Sequence, residues 1–356
     1  MQNGERMTTI VLFGGPSDER HVSVASAQNI ARNLGASLYW FWAPDGPVHD
    51  VALDDLLSHQ RPFEIDFVPR RPAIWPNVEQ ALDTLPVDDP VFLLALHGTI
   101  GEDGTLQKIM EDRGIAFTGS DSTVSAMAFD KAKTKDKLLD RVRMAESRIV
   151  SGPETIREML RAHDRVVLKP VSGGSSRGLF FVNRGVEDSG PPLSGQPLAA
   201  VLHIPYLAEQ FIAGRELTVG VVDMGDGPSA LPVLEVEVDP GRAFDYAGKY
   251  LGKGTHEICP AKISAPMREA AQNIALAAHT VLGCQGYSRT DVVAADDDHV
   301  YFLELNTLPG LTTASLFPQE LAAAGISFRD FLEKQIELAR VRSGSGRPNR
   351  LRPVPH

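Results

Sequence analysis

Cysteine and long apolar runs are both scarce in this chain of 356 residues. Cys259 and Cys284 are the only cysteines, and their spacing fits neither a disulfide framework nor a metal site. No apolar stretch approaches the roughly 18 to 20 residues that a membrane-spanning helix needs. The opening MQNGERMTTIVLFGG also lacks the layout of a signal peptide. These features predict a cytoplasmic protein that does not enter a membrane.

The chain also has fewer basic than acidic residues, 35 against 46. The formal net charge of −11 argues against nonspecific nucleic-acid binding, because neutralising phosphates requires a cationic surface. The exception is the segment after Ala339, RVRSGSGRPNRLRPVPH, which is basic and rich in Gly, Ser and Pro. Such a composition cannot bury a core, so we expect residues 339–356 to form a disordered tail.

The remaining sequence has the pattern of a globular α/β protein with two or three domains. In residues 1–119, apolar runs such as TTIVLFGG alternate with helical patterns such as VSVASAQNIARNL, which predicts an N-terminal domain with a parallel sheet. Residues 122–143 predict one helix whose lysines mostly form a solvated face. Strand–loop–strand patterns follow, so we expect a small central α+β domain at 120–210 and a C-terminal α+β domain at 211–338.

The run VYFLELNTLPG is apolar except for Glu304 and Asn306, and it follows YSRTDVVAADDD in a hairpin pattern. A tight turn centred on positions 297 and 298 sets Asp291 opposite Glu304 and Arg289 opposite Asn306, all on one surface. Facing carboxylates repel each other, and Mg²⁺ bound to nucleotide phosphates would relieve that repulsion. The alternative is an exposed sheet face with ordinary charges.

Two further hairpins are predicted to carry polar groups. In KPVSGGSSRG, Lys169 precedes a glycine-serine loop that could approach phosphates, although it lacks the Walker A pattern and could be only a flexible tip. In YLAEQFIAGRELTVGVV, a turn at positions 213 and 214 would place Glu216 across from Phe211, with Glu209 on the same face. Such a group could grip a ribose and flank an adenine.

The N-terminal loop GGPSDERHVS superficially suggests a dinucleotide-binding fold. Asp18 and Glu19 occupy the predicted helix start, where a pyrophosphate would need positive potential, and the third glycine is missing. An acidic group there suits a ligand ammonium better. His97 follows the strand VFLLAL and is either a structural histidine or a ligand contact at a strand end.

Taken together, these segments resemble the ATP-grasp superfamily and, within it, the D-alanine–D-alanine ligase family. The resemblance runs from Ile10 to about Leu338. It rests on eight motifs in order: LFGGPSDERHVS, LHGTIGEDGTLQ, FTGS, DKAKTK, KPVSGGSSRG, FDYAGKY, SRTDVV and LELNTLPGLTTASLFP.

The resemblance implies an ATP-grasp fold that uses ATP, D-alanine and two Mg²⁺ ions, with Mn²⁺ as an alternative metal, and that commonly forms a homodimer. The implied metal ligands are Asp291, Glu304 and Asn306. The implied nucleotide-binding residues are Lys131, Lys169, Ser176, Glu209, Phe211, Glu216 and Lys249.

The resemblance also assigns residues to the amino-acid substrates. It implies that Glu19 binds the first ammonium group, that His97 lies near its carboxylate, and that Ser175 and Tyr250 link with Glu19 to close the site. The implied oxyanion-stabilising pair is Arg289 and the backbone of Gly310, and the implied pocket for the second carboxylate is formed by Ser315 and Leu316.

The implied reaction activates one D-alanine as an acyl phosphate, which the amine of a second D-alanine attacks, for peptidoglycan precursor synthesis. Three positions depart from the family pattern: Gly173 replaces a frequent acid, Arg177 a usual aliphatic residue and Gln210 a frequent lysine. Arg177 could contact a phosphate or alter closure of the loop. Alternatives are a ligase of a resistance or natural-product pathway, a non-catalytic ATP-binding sensor and, last, a dehydrogenase.

Overall fold

The computed structural model describes residues 8–35, 37–174, 177–185, 204–238, 255–295 and 299–345. The first of its three sheets lies in the N-terminal part. Its strands are β1 (Thr9–Gly14), β2 (Ser37–Trp42), β3 (Val48–Val51), β4 (Val91–Leu94) and β5 (Ala116–Phe117). Their order is β3-β2-β1-β4-β5, and all neighbours are parallel except β2 and β3. The predicted parallel sheet is confirmed, with an antiparallel edge strand added.

Helices surround this sheet because its strands are apolar on both faces and need cover on both sides. These helices are α1 (Arg20–Asn33), α2 (Leu53–Ser58), α3 (Val78–Asp83) and α4 (Thr105–Glu111).

The predicted helix at 122–143 is instead two shorter helices, α5 (Ser122–Phe129) and α6 (Lys131–Leu138). Asp130 breaks the helix because its backbone is extended and pairs with Ser172, while its side chain accepts a hydrogen bond from the Lys133 amide at 3.0 Å. The break places the start of α6 against the glycine-serine loop, where Lys131 N donates to Val171 O at 2.9 Å.

The second sheet is small and fully antiparallel. It contains β6 (Ser147–Ile149), β7 (Arg165–Pro170), β8 (Phe180–Asn183) and β9 (Tyr206–Gln210), in the order β6-β9-β7-β8. Helix α7 (Pro153–Ala162) covers one face with Ile156, Met159 and Leu160. The predicted hairpin that carries Lys169 is confirmed as the β7–β8 pair.

The third sheet holds the longest strands. They are β10 (Gly214–Asp223), β11 (Pro228–Ala230), β12 (Leu234–Val238), β13 (Thr255–Ile258), β14 (Tyr287–Ala295) and β15 (Val300–Asn306). The order is β13-β12-β10-β14-β15, with β11 paired to β10. Helix α8 (Ala265–Leu282) buries its apolar side against the β10, β14 and β15 face.

The predicted register of the β14–β15 hairpin is confirmed at the pairs that matter. Asp291 lies opposite Glu304 and Arg289 opposite Asn306. A register shift follows at once, because Val292 pairs with Phe302 and leaves Leu303 as an extra residue in β15.

The predicted hairpin around positions 213 and 214 is wrong. β9 pairs with β6 and β7, whereas β10 pairs with β11, β12 and β14, so the two strands belong to different sheets. Glu216 therefore lies opposite Val236 and Val293 rather than Phe211. Residues 211–213 connect the second sheet to the third. β9 and β10 do not pair with each other because each already has antiparallel partners in its own sheet.

Two C-terminal helices return to the first sheet. They are α9 (Leu316–Ala323) and α10 (Phe328–Ser345). Phe317, Phe331 and Ile336 join the hydrophobic core of the first sheet, and α10 packs against β4 and β5. The disordered tail predicted after Ala339 is wrong for its first residues, because α10 continues to Ser345; residues 346–356 lie outside the described residues. Across the described ranges, no helix combines the length and apolar character required to cross a membrane.

We predict that His279 makes stability depend on pH. This side chain on α8 is buried, its Nδ1 lies 2.8 Å from Ser288 Oγ, and burial lowers its pKa from 6.5 to about 4, with Asp223 opposing that shift. Between pH 6.5 and pH 4 the unfolded chain binds a proton that the native chain does not. The free energy of unfolding therefore decreases as the pH is lowered through this range. The loss from pH 7 to pH 5 should be about 2 kcal/mol.

Urea denaturation of wild type and His279→Gln across this pH range checks the prediction. The variant should show a flatter dependence, whereas His256→Gln, which alters an exposed histidine on β13, should keep the wild-type slope. An unchanged slope in His279→Gln would contradict the assignment.

Candidate functional site

A cavity of about 450 Å³ lies between the second and third sheets. The crossing at residues 211–213 forms part of its wall, so side chains from both sheets face one space although β9 and β10 do not pair. Eight of the predicted site residues line this cavity: Lys131, Lys169, Glu209, Phe211, Glu216, Asp291, Glu304 and Leu316.

The facing carboxylates on β14 and β15 have cationic partners from the chain itself. Arg289 holds Asp291 in a two-point fork, with Nε donating to Oδ1 at 2.8 Å and Nη2 to Oδ2 at 2.9 Å. Thr218 Oγ1 donates to the same Asp291 Oδ1 at 2.8 Å. Across the ribbon, Lys131 Nζ lies 3.3 Å from Glu304 Oε2. Repulsion between the two acids is therefore reduced before any ligand binds.

The ribbon offers the oxygen donors that a hard divalent cation prefers. Asp291 and Glu304 supply carboxylate oxygens, and Asn306 Oδ1 accepts from Leu308 N at 2.7 Å while keeping a second lone pair. In the part of the chain that the structure describes, no group of three or more His, Cys, Asp or Glu side chains could hold an ion alone. The donor set fits an ion whose remaining ligands come from a bound phosphate.

Lysines surround the inner end of the cavity. Lys169 Nζ donates to Glu209 Oε1 at 2.8 Å, and both side chains are buried. Lys131 Nζ donates to Gly173 O at 2.6 Å at the start of the glycine-serine loop. Lys135, which the sequence analysis placed on a mostly solvated face, is instead buried and forms an ion pair with Glu209 Oε2. The helical spacing of four residues from Lys131 was the only signal that could have singled it out.

The opposite end of the cavity is aromatic. The guanidinium of Arg165 lies 4.2 Å from the ring centre of Phe211 and 4.6 Å from that of Phe181. Both Arg165 and Phe181 line the cavity, and within the described residues the buried Arg165 Nε has no hydrogen-bond partner. Neither residue could be identified from the sequence, because a lone arginine and a lone phenylalanine on strands belong to no motif.

The first sheet presents Glu19 at the start of α1, close to the loop that begins at His97. Gly98 has a φ of +76°, and a Cβ there would lie 2.2 Å from Ser17 Oγ and 3.1 Å from Glu19 Oε2. A Cβ on Gly174 would lie 4.0 Å from the same Glu19 oxygen. The predicted acid therefore stands beside the start of the glycine-serine loop.

His97 is buried and connects the first sheet to the segment after β15. Its Nε2 shares a hydrogen bond of 3.1 Å with Ser26 Oγ, and its Nδ1 lies 3.6 Å from Glu102 Oε1. Ser26 Oγ also accepts from Leu311 N at 3.3 Å. A buried, hydrogen-bonded ring such as His97 can support the loop and also border a ligand.

The segment between β15 and α9 folds back on itself. Ser315 Oγ accepts from Thr312 N at 3.1 Å, and a Cβ on Gly310 would lie 2.6 Å from that oxygen. Gly310 and Ser315 are therefore adjacent, and Leu316 follows in the cavity wall.

Four of the predicted site residues fall on undescribed positions. Ser175, Ser176, Lys249 and Tyr250 lie outside the described residues. Arg177 is described, and its exposed side chain forms an ion pair with exposed Asp18 in the N-terminal loop. This partner connects the glycine-serine loop to the first sheet.

A parallel-sheet unit followed by two antiparallel sheets that enclose a cavity defines the ATP-grasp class of ligases. Two solved structures share this arrangement over nearly the whole chain. The VanG D-Ala:D-Ser ligase of Enterococcus faecalis has a TM-score of 0.76 and 27% identity, covering 94% of this chain and 99% of that one. The D-alanine–D-alanine ligase of Bacillus anthracis has a TM-score of 0.71 and 27% identity, covering 96% and 100%.

Sequence comparison narrows the class. The family models for the N-terminus and the C-terminus of D-ala D-ala ligase match residues 8–120 and 153–337. The D-alanine–D-alanine ligase of Syntrophobacter fumaroxidans is 34% identical over 348 residues, a match that covers 94% of this chain and 98% of that protein. The chain belongs to the D-alanine–D-alanine ligase family, whose members are ATP-dependent ligases that use a divalent metal.

We predict that Gly98→Ala disturbs the contact between the two N-terminal loops. Its Cβ would overlap Ser17 Oγ, so the variant should lose about 2 to 4 kcal/mol in the free energy of unfolding. Gly114→Ala is the matched control, because Gly114 also has a positive φ, +64°, but nothing lies within 4 Å of a Cβ there. That control should lose about 1 kcal/mol from backbone strain alone. Equal losses in thermal denaturation would contradict the proposed overlap.

Proposed function

We propose that this chain joins two D-alanine molecules into D-alanyl-D-alanine, with hydrolysis of ATP to ADP and phosphate, to supply peptidoglycan precursor synthesis. The observation that carries the proposal is the Arg289–Asp291–Glu304 group on one face of the β14–β15 ribbon, whose two carboxylates line the cavity. A carboxylate is a poor electrophile, so ATP first converts the first D-alanine into an acyl phosphate. The amine of the second D-alanine then attacks that carbon and phosphate leaves.

The nucleotide fits the cavity with its base at the aromatic end and its phosphates at the lysine end. Phe211 would border the base and Glu216 would accept hydrogen bonds from the ribose, since both side chains line the cavity. Lys131 and Lys169 place positive charge near the phosphates, with Glu209 orienting Lys169. Ser176 and Lys249 complete this proposed set from outside the described residues.

Asp291, Glu304 and Asn306 would hold the divalent metal, which we propose is Mg²⁺, as two ions, with Mn²⁺ as a substitute. When bound, the metal supplies charge neutralisation for the transferred phosphoryl group. The residues of the chain contribute a fixed oxygen surface, because Arg289 and Thr218 lock the Asp291 carboxylate and Leu308 N locks Asn306.

The amino-acid substrates would lie between the cavity and the first sheet. Glu19 receives the ammonium group of the first D-alanine, with His97 near its carboxylate, and Ser175 and Tyr250 close the site with Glu19. Arg289 and the backbone N–H of Gly310 stabilise the oxyanion of the tetrahedral carbon. Ser315 and Leu316 receive the carboxylate of the second D-alanine. Closure excludes water, which would otherwise hydrolyse the acyl phosphate.

Three further features belong to the same proposal. We place the enzyme in the cytoplasm, where its substrates ATP and D-alanine are found, and we expect a homodimer. The domain division at residues 119, 210 and 338 stays a prediction.

A phosphate-release assay with purified protein, ATP and single amino acids tests this function. D-alanine should raise phosphate release strongly, whereas L-alanine should not, and D-alanyl-D-alanine should accumulate one for one with phosphate. Adding D-serine or D-lactate beside limiting D-alanine tests the second substrate. Turnover that rises only with another amino acid would favour a different ligase, and tight Mg-ATP binding without turnover would favour a sensor.

We predict that Glu304→Gln leaves the fold intact and lowers kcat by about a hundredfold or more, because the ribbon loses a negative oxygen on the side that faces the phosphates. Glu333→Gln, which alters an exposed acid on α10, is the control and should keep wild-type turnover. Circular dichroism and a thermal melt establish folding of both variants. A folded Glu304→Gln enzyme with full activity would contradict the assignment of Glu304 as a metal ligand.

A further inference from the structure

Lys135 is the one lysine of α6 whose side chain is buried behind the cavity. It is 5% exposed, while Lys133 and Lys137 on the same helix are exposed. Its Nζ forms an ion pair with Glu209 Oε2 and lies 3.4 Å from Ala145 O. Lys135 is absent from the cavity wall, whereas Glu209 is part of that wall. Lys135 therefore contacts the cavity wall through Glu209 rather than contacting a ligand itself.

Glu209 is shared by two ammonium groups on opposite sides. Oε1 faces Lys169, which lines the cavity, and Oε2 faces Lys135, which does not. Two positive charges against one negative charge leave this buried group with a net charge of +1. A net positive charge in a low-dielectric wall attracts anions strongly.

Without Lys135 the buried group would lose its net positive charge. Glu209 would then be balanced by Lys169 alone, and that pair would be neutral toward the cavity. The carboxylate oxygen left behind would also be buried without a cation, which is costly. Burial lowers the pKa of Lys135, the Glu209 carboxylate opposes this shift and Lys169 adds to it, so the charge on Lys135 depends on Glu209.

We propose that Lys135 is a positioning residue for nucleotide binding: it neutralises Glu209 from outside the cavity, so that Lys169 keeps its positive charge available to the phosphates. This inference rests on the proposed function of the cavity. It assigns a role to a residue that contacts no substrate. A purely structural role, in which Lys135 only attaches α6 to the second sheet, is the competing explanation.

The test compares Lys135→Met, Lys135→Arg and Lys137→Met in the full-length enzyme. Lys135→Met should raise the KM for ATP about tenfold, with the KM for D-alanine and kcat changed less than about threefold. Lys135→Arg keeps the charge and should recover most of the ATP affinity. Lys137→Met, the matched control from the same helix, should resemble wild type. A direct titration with ADP should show the same ranking without relying on turnover.

A double-mutant cycle with Glu209→Gln separates the two explanations. Once the carboxylate is removed, Lys135 has nothing to neutralise, so adding Lys135→Met to Glu209→Gln should weaken ADP binding no further. Effects that multiply independently would overturn the proposal, as would a Lys135→Met enzyme with a lowered melting temperature and an unchanged KM for ATP.

The remaining outcomes are also decisive. If Lys135→Met does not fold, Lys135→Arg still tests the idea, because a folded arginine variant with ATP affinity reduced tenfold would show that charge alone is not what the site requires. A wild-type enzyme without turnover would instead contradict the proposed function. An active wild-type enzyme together with a Lys135→Met variant of unchanged affinity for ATP and ADP would contradict only this inference.

Discussion

The pairing of Asp291 with Glu304 across one β-ribbon is the constraint on which the site depends. Like charges directly opposite each other destabilise a sheet, so such a pair persists only where cations compensate it. The chain provides two: Arg289, two residues along the same strand, and Lys131, from the first turn of α6. Lys131 can reach Glu304 because the helix predicted at 122–143 is broken at Asp130 and restarts at the cavity. A local backbone feature thus serves a distant electrostatic requirement.

Charge is distributed differently at the two ends of the cavity wall. At the ribbon, Asp291 is held by Arg289 and Thr218 and Glu304 faces Lys131, and both carboxylates stay partly accessible, which leaves oxygens for an ion. At the second sheet, the Glu209 carboxylate is buried between Lys135 and Lys169 and contributes mainly to orientation. In and directly behind the cavity wall, six cations outnumber four carboxylates, in a protein whose formal net charge is −11. The cations are Lys131, Lys135, Arg165, Lys169, Arg177 and Arg289, and the carboxylates are Glu209, Glu216, Asp291 and Glu304. The positive potential that an ATP phosphate chain requires is therefore local, built by burial of specific lysines against the overall charge of the molecule.

Much of this site could be predicted from the sequence, because it depends on strand periodicity. The alternation of side chains placed Arg289, Asp291, Glu304 and Asn306 on one face. The predicted turn, however, would pair Ala294 with Tyr301 rather than with Val300, and the extra residue Leu303 offsets that difference before the site is reached. Features that depend on tertiary packing could not be predicted. The sequence at residues 211–213 resembles a hairpin turn. The structure shows a crossing between sheets instead, because β9 and β10 pair with different strands and not with each other. Likewise, helical periodicity places Lys135 beside Lys131 but cannot indicate that Glu209, 74 positions later, will cover it.

The extra residue at Leu303 explains how the ribbon can serve two surfaces at once. Between Asp291 and Val292 the register shifts, so the segment nearer the turn keeps Val292 and Phe302 packed on α8 while the segment nearer the site aims Asp291 and Glu304 at the cavity. A regular strand would pair Val292 with Leu303 and turn Phe302 away from that core. Because a bulge also increases the local twist, it bends the acidic end of the ribbon away from the helix-covered face. Within the seven residues of β15, one part of the strand therefore packs on the core and the other part carries a carboxylate that faces the cavity. Neither arrangement disturbs the other.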